Sequence, residues 1–238
     1  MPETATRTVE RALDVLGAVC AAGSTSLADA ARAAGLSAST ALRLLRTLEG
    51  SGFVRRDGDG GWRPGLRLVQ LGAQALGHEE LVPLAAPALS RLVAETGESA
   101  YLAVPGPVAG EAVYLAVHEG TRSVRHTSWV GRSLPLAGTA AGAALGGQLG
   151  EGGYAVADSA VEEDVTAVAA PVTAGSGSHA RIVAALSVVA PSYRTDAART
   201  AELGRLVADA AAGVLAVPPP QNAPAADARP AGPPVPAR

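Results

Sequence analysis

"GLSASTALRLLRTLEGSGFVRRDGDGGW", residues 35–62, decides how the first part of the chain is read. It gathers four arginines in a 238-residue chain whose net charge is −3. Gly35 is a helix stop and Ser37 a helix cap, so a new helix is expected over about residues 38–49, ending at Gly50 and Gly52. Ala41, Leu44, Leu45 and Leu48 recur at helical spacing and are expected to be buried. Ser39, Thr40, Arg43, Arg46 and Thr47 fall on the other side. FVRR, DGDGG and WR then read as two short strands about a glycine-rich turn, closed by Pro64.

The flanking segments complete the unit. Residues 8–22 read as a helix with Val9, Ala12, Leu13, Leu16 and Val19 on one face, and Cys20, on the same spacing, as a small core residue. Ser26 caps a helix from Leu27 to Ala34, with Asp29 three residues on. Two helices joined by a short glycine-containing turn and followed by a hairpin make a winged helix-turn-helix, placed in residues 1–64. Trp62 is expected to pack the wing onto it.

Charge supports a division of labour. Residues 1–78 hold nine arginines against seven acids, and residues 36–67 six against three, whereas residues 79–238 hold ten against fifteen. A helix fits the major groove of DNA with its N-terminal half at the base edges. Ser37, Ser39 and Thr40 are therefore candidates for phosphate or base contacts, and Arg43 and Arg46 for base and backbone contacts. Arg55, Arg56 and Arg63 on the wing would neutralise phosphates or enter the minor groove. The partner expected is double-stranded DNA.

Other chemistries are poorly provided for. Every basic residue is arginine, so there is no phosphate-loop lysine, lysine Schiff base or lysine general base. One cysteine allows no disulfide framework. His78, His118, His126 and His179 form no helical pair, and no GxSxG elbow occurs. No catalytic residue, metal site or cofactor is expected, and the chain does not read as an enzyme. Asp158, Glu162, Glu163 and Asp164 read as a solvated acidic loop, and His126, beside Thr127 and Ser128, as an exposed strand residue. No charge-free run of about 18 apolar residues is present, so no membrane span is expected. The N-terminal segment lacks a signal-peptide pattern, which implies a cytoplasmic protein.

Residues 65–78 read as a linker helix with Leu68, Leu71 and Leu76 as an apolar stripe. From 79 to 217 a helix over 80–96 precedes five strand-like runs, SAYLAV, EAVYLAVH, RSVRHTSWV, DVTAVAAPV and ARIVAALSVVA, and a final helix spans about 196–216. That order predicts an α+β domain with a mostly antiparallel sheet. Residues 218–238, with eight prolines, are expected to be disordered.

TRTVERALDVLGAV, LADAARAAGLSASTALRLLRTLEGSGFVRRDG and GWRPGLRLVQLG resemble the N-terminal domain of the IclR family of transcriptional regulators. EELVPLAAPALSRLVAETGESAYLAV, VGRSLPLAGTAAGAAL, GYAV, AAPV and AALSV resemble its ligand-sensing domain, so the likeness covers about residues 7–217. The resemblance implies a GAF-like effector domain, a small-molecule effector such as an organic acid or an aromatic, and self-association as a dimer or dimer of dimers. It implies an effector cavity bounded by Leu136, Thr139, Ala140, Tyr154, Val168, Ala170 and Ser187, with Trp129 as core or at the mouth. The chain departs from the family after Leu149, where only GEG stands in place of a longer segment, and at Ala143 and Val189, where the family often has lysine and serine.

Overall fold

A computed structural model describes residues 6–78, 80–126 and 129–216, and the chain divides into two compact units at Glu80 and Leu81. The proline-rich tail, Thr127, Ser128 and the side chain of Leu76 lie outside the described residues.

The first unit holds α1 (Arg7–Ala22), α2 (Leu27–Ala33), α3 (Ala38–Gly50), β1 (Val54–Arg56), β2 (Trp62–Pro64) and α4 (Leu66–Gly77). Ser26 and Ser37 cap α2 and α3 as expected, their hydroxyls accepting from the Asp29 and Thr40 amides at 3.1 and 3.3 Å. Val15, Leu16, Val19, Ala30, Leu44, Leu45, Val54 and Trp62 form the core, and Leu48 is partly buried against it. Each large apolar side chain so buried is worth about 1.5–3 kcal/mol. The buried residues of α1 are Val15, Leu16 and Val19: Leu16 and Val19 belong to the stripe the spacing suggested, as does the partly buried Ala12, and Val15 is added to it. Val9 and Leu13 are exposed, and so is Cys20, which is not a core residue.

The wing is closed by Asp57. Its Oδ1 accepts from the amides of Asp59 and Gly61 at 3.1 and 2.7 Å, and its Oδ2 accepts from Ser24 Oγ at 3.1 Å and from Arg63 Nε at 2.9 Å. Gly60 takes the left-handed conformation, φ 80°, that a three-residue hairpin loop requires. Thr25 pairs with Trp62 through two backbone hydrogen bonds, which ties the hairpin to the segment between α1 and α2.

The second unit is built on a six-stranded antiparallel sheet in the order β5-β4-β3-β8-β7-β6. Its strands are β3 (Ser99–Pro105), β4 (Glu111–His118), β5 (Ser133–Pro135), β6 (Ala155–Asp158), β7 (Val165–Ala174) and β8 (Arg181–Pro191). α5 (Leu81–Thr96) and α7 (Ala197–Val214) pack on one face, against Ala100, Leu102, Val168, Ala170, Leu186 and Val188. α6 (Ala140–Leu145) covers the other, against Ala169 and Ala185, beside Tyr101, Tyr114, Trp129 and Val189. With both faces covered, β8 is buried continuously over 184–190, which explains why its sequence there is apolar except for Ser187. Buried Glu98 ties the start of β3 to the segment after β8 through Arg194, at 2.9 and 2.6 Å, and Arg122 adds a third contact at 3.0 Å.

Four of the five strand-like runs are strands. The described residues of the run RSVRHTSWV form no strand: residues 121–124 are bends, and the segment is held by Ser99 Oγ, which accepts from the Gly120 amide and donates to the His126 carbonyl. His126 is buried, contrary to the expectation of exposure, because this segment folds inward against Tyr101.

The Asp57 contacts with Arg63, Gly61 and Ser24 outweigh its partial desolvation and hold its carboxyl down to about 2. The charged form is thus favoured in the folded wing. Its stabilisation is complete above the unfolded value of about 3.9 and disappears as the pH falls through about 2. The difference in thermal midpoint between the wild type and Asp57→Asn should shrink steadily across that window, and a constant difference would contradict the assignment. In the second unit, a Cβ at Gly142 would stand 1.8 Å from the Leu136 carbonyl, while one at Gly213 meets nothing within 4 Å. Gly142→Ala should therefore destabilise by about 1–3 kcal/mol, and Gly213→Ala should be neutral or stabilise by up to about 1 kcal/mol, both read by denaturant unfolding.

Candidate nucleic-acid interface and effector cavity

Helix α3 presents two different faces. Ala41, Leu44 and Leu45 anchor it in the core, which leaves Ser39, Arg43 and Arg46 exposed on the solvent side. Among the described residues, Arg43 and Arg46 make no salt bridge, so both guanidinium groups are available to a partner. The first turn carries no acidic residue. Its free amides and the helix dipole therefore favour an anion such as a phosphate at this end. Ser37 is occupied as the cap, and its hydroxyl also lies 2.9 Å from Thr40 Oγ1 and 3.2 Å from Ser39 Oγ.

The wing sorts its arginines by strand alternation. Arg55 and Arg63 are directly opposite each other in the β1–β2 register and both are exposed. Two like charges at that spacing repel, and the Asp57 contact to Arg63 offsets part of this. Arg56 pairs with Trp62 in the register, and its guanidinium sits over the indole, 4.6 Å from the ring centroid. Arg56 is thereby held, while Arg55 is the wing arginine with its charge uncommitted.

In the second unit, Thr139, Ala140 and Ser187 line one cavity, together with Tyr114, Trp129 and Glu162. Its volume is about 20 Å³, room for a single water. Ser187 is buried and its hydroxyl has no hydrogen-bond partner among the described residues. Leu136 lies instead on an adjoining open cleft with Thr139, Gly142 and Ala143. Val168 and Ala170 do not join the set. The register Val168↔Val188 and Ala170↔Leu186 turns both to the α5–α7 face, opposite to Ser187. Tyr154 also packs on that face, its ring so close to Gly204 that a Cβ there would stand 2.3 Å from it.

Tyr114 and Glu162, which line this cavity, and His126, which lines the neighbouring open pocket, were not among the candidates. Tyr101, Tyr114, Trp129 and His126 form an aromatic cluster with ring centroids 4.1–5.7 Å apart. Trp129 is a core residue, 2% exposed, and its Nε1 donates to Glu162 Oε1 at 3.0 Å. His126 Nδ1 is 2.6 Å from the Tyr101 hydroxyl. Its Nε2 is 3.2 Å from Glu162 Oε2, near enough for an ion pair but outside hydrogen-bond geometry. Burial pushes the His126 imidazole below its ordinary value, against the pull of Glu162. Burial also drives the Tyr114 phenol up to about 12. Burial alone would raise Glu162, but the contacts from Trp129 and His126 more than reverse this, so its carboxyl is charged at neutral pH. The acidic segment is therefore not uniformly a solvated loop: Glu162 turns inward, and Asp158 accepts from Thr166 Oγ1 at 2.6 Å.

Comparison with known proteins agrees with this architecture. The profile of the IclR helix-turn-helix domain matches residues 8–58, and that of the bacterial transcriptional regulator IclR C-terminal region matches 73–149 and 147–215. The second match comes in two parts that meet at residues 147–149, just before GEG. Transcriptional repressor IclR of Escherichia coli is 35% identical over 130 residues, 54% of this chain and 47% of that protein. HTH-type transcriptional repressor AllR of Klebsiella pneumoniae is 33% identical over 124 residues, 52% of this chain and 45% of that protein. The chain thus spans about half the length of the curated relatives it matches. Among solved structures, an IclR transcriptional regulator from Alicyclobacillus acidocaldarius superposes with a TM-score of 0.74 at 22% identity, covering 88% of this chain and 98% of that one. An IclR homolog from Microbacterium hydrocarbonoxydans, complexed with 4-hydroxybenzoate, gives 0.67 at 25% identity, covering 87% and 97%. With one profile on the winged unit and the other across the sheet unit, this chain belongs to the IclR family of transcriptional regulators.

Proposed function

We propose that the chain is a sequence-specific, ligand-responsive transcriptional regulator that acts in the cytoplasm. It binds a near-palindromic operator as a dimer or tetramer, with α3 in the major groove and the wing on the flanking backbone. The carrying observation is the solvent face of α3, where Ser39, Arg43 and Arg46 stand exposed and free of acidic partners on a helix fixed by its buried face. Self-association is supported by the exposed apolar residues of α4, Leu66, Val69 and Leu71. Repression is supported by the names of the relatives from Escherichia coli and Klebsiella pneumoniae. A small carboxylic or aromatic effector is supported by the 4-hydroxybenzoate in the Microbacterium homolog. Such an effector acts only by binding the DNA-competent and incompetent arrangements unequally.

A second reading has a specific observation in its favour. The cavity holds about one water, so the sheet unit would serve as a scaffold under a constitutive DNA-binding unit. A thermal-shift screen with small organic acids and aromatics separates the two: a stabilising ligand supports sensing, and a flat response supports the scaffold.

Gel shifts on DNA upstream of the chain's own gene, with random duplex as competitor, test the DNA-binding reading. Arg43→Ala should cost about 1–3 kcal/mol and lose discrimination between cognate and random duplexes. Arg55→Ala should weaken binding to both alike and lower the salt slope by about 1. Full discrimination by Arg43→Ala would remove α3 as the reading element.

A further inference from the structure

Glu162 stands between two spaces. It lines the chamber of about 20 Å³ that contains Ser187, and it also lines an open surface pocket of about 360 Å³ with Arg125, His126 and Tyr193. The outer pocket alone falls in the size range of small-molecule sites, about 300–1,000 Å³, whereas the inner chamber is far below it. Among the described residues, only Glu162 and Val165 line both spaces, so these two side chains form the partition.

The contacts of Glu162 are those of a bound carboxylate. One oxygen accepts from the Trp129 indole at 3.0 Å and the other lies 3.2 Å from His126 Nε2. Its neighbours Glu163 and Asp164 are exposed, as residues of an acidic loop should be. The loop is bracketed by Ser159 and Asp164, both non-glycine residues in the left-handed region with φ of 49° and 58°. This is an unfavourable backbone that persists where surrounding contacts enforce it. Beyond the partition, the Ser187 hydroxyl is buried without a partner among the described residues, a donor not used by the closed arrangement.

We propose that Glu162 is an internal occupant of the effector site, a latch whose carboxylate holds the chamber shut and must be displaced by the carboxylate of an incoming ligand. The inference rests on the reading of this cavity as an effector site. When the latch swings out, chamber and outer pocket become one space. Its inner end then offers an indole N–H, an imidazole and a free hydroxyl, and its wall offers the flat faces of Tyr114 and Trp129. That set suits a small aromatic acid. The displaced Glu162 carboxylate, already 41% exposed in the closed arrangement, moves fully into water, and the strained loop ends are released.

The test is isothermal titration of the full chain with benzoate and with benzamide, its uncharged counterpart. Glu162→Ala should bind benzoate about tenfold or more tightly than the wild type, because one charged hydrogen-bonding competitor is gone. Benzamide should gain less, because removing Glu162 opens the chamber to both probes but relieves charge repulsion only for benzoate. Glu162→Gln, which keeps the side-chain volume and one acceptor oxygen, should gain less than the alanine variant, and it stands in if that variant does not fold. In the NMR spectrum the Trp129 indole signal should shift in Glu162→Ala and return towards its wild-type position with benzoate but not benzamide. Unchanged or weaker benzoate affinity in both variants, an equal gain for benzamide, or no binding of either probe to any form would each overturn the latch. The regulator reading is decided separately, by the gel shifts with the wild type.

Discussion

The structure depends first on how α3 is held. Ala41, Leu44 and Leu45 are buried against α1 and α2, and Ser37 fixes the helix start, so the direction of every remaining side chain on the helix is set. Arginines on a mobile surface segment would contribute charge but no register. The same arginines on a helix with a buried, closely packed face have a fixed geometry, which base recognition requires. The wing follows the same logic: the Trp62 core contact and the Asp57 network fix a two-stranded hairpin too short to be stable alone.

The second unit obeys a different constraint. A sheet covered on both faces must give alternate residues of each strand to different neighbours. β8 illustrates it: Leu186 and Val188 meet α5 and α7, while Ser187 between them reaches the α6 side. A single polar residue in an apolar strand thus marks the cavity face. The three-residue interruption after Leu149 brings β6 close behind α6, with a cavity at the junction that is small and walled by aromatic rings.

Much of the first unit was legible in the sequence, because caps, glycine stops and apolar spacing are local signals that tertiary packing did not override. The exceptions are instructive. Val9, Leu13 and Cys20 follow a helical spacing as good as that of Val15 and Val19, and only the position of the neighbouring helices decides which stripe is covered. In the second unit, four strands could be read from their composition, but β5 and β6, of three and four residues, gave no periodicity to read. The face assignment of Val168 and Ala170 depends on the register with β8, which no local pattern encodes. The His126–Glu162 pairing joins residues from an irregular segment and a loop, where neither spacing nor hydropathy carries information. Trp129 was legible as buried, but not as the donor that turns an acidic loop residue inward.

The central claim is that α3 lies in the major groove and reads base edges there. Guanine N7 faces that groove, so methylation interference at N7 tests the claim directly. Duplexes selected from a random library by the full chain, then lightly methylated, would be separated into bound and free fractions. The account predicts that methylation at a small set of guanines, in two symmetric half-sites, excludes the duplex from the bound fraction. Tight binding with every guanine N7 tolerated as methylated would contradict it.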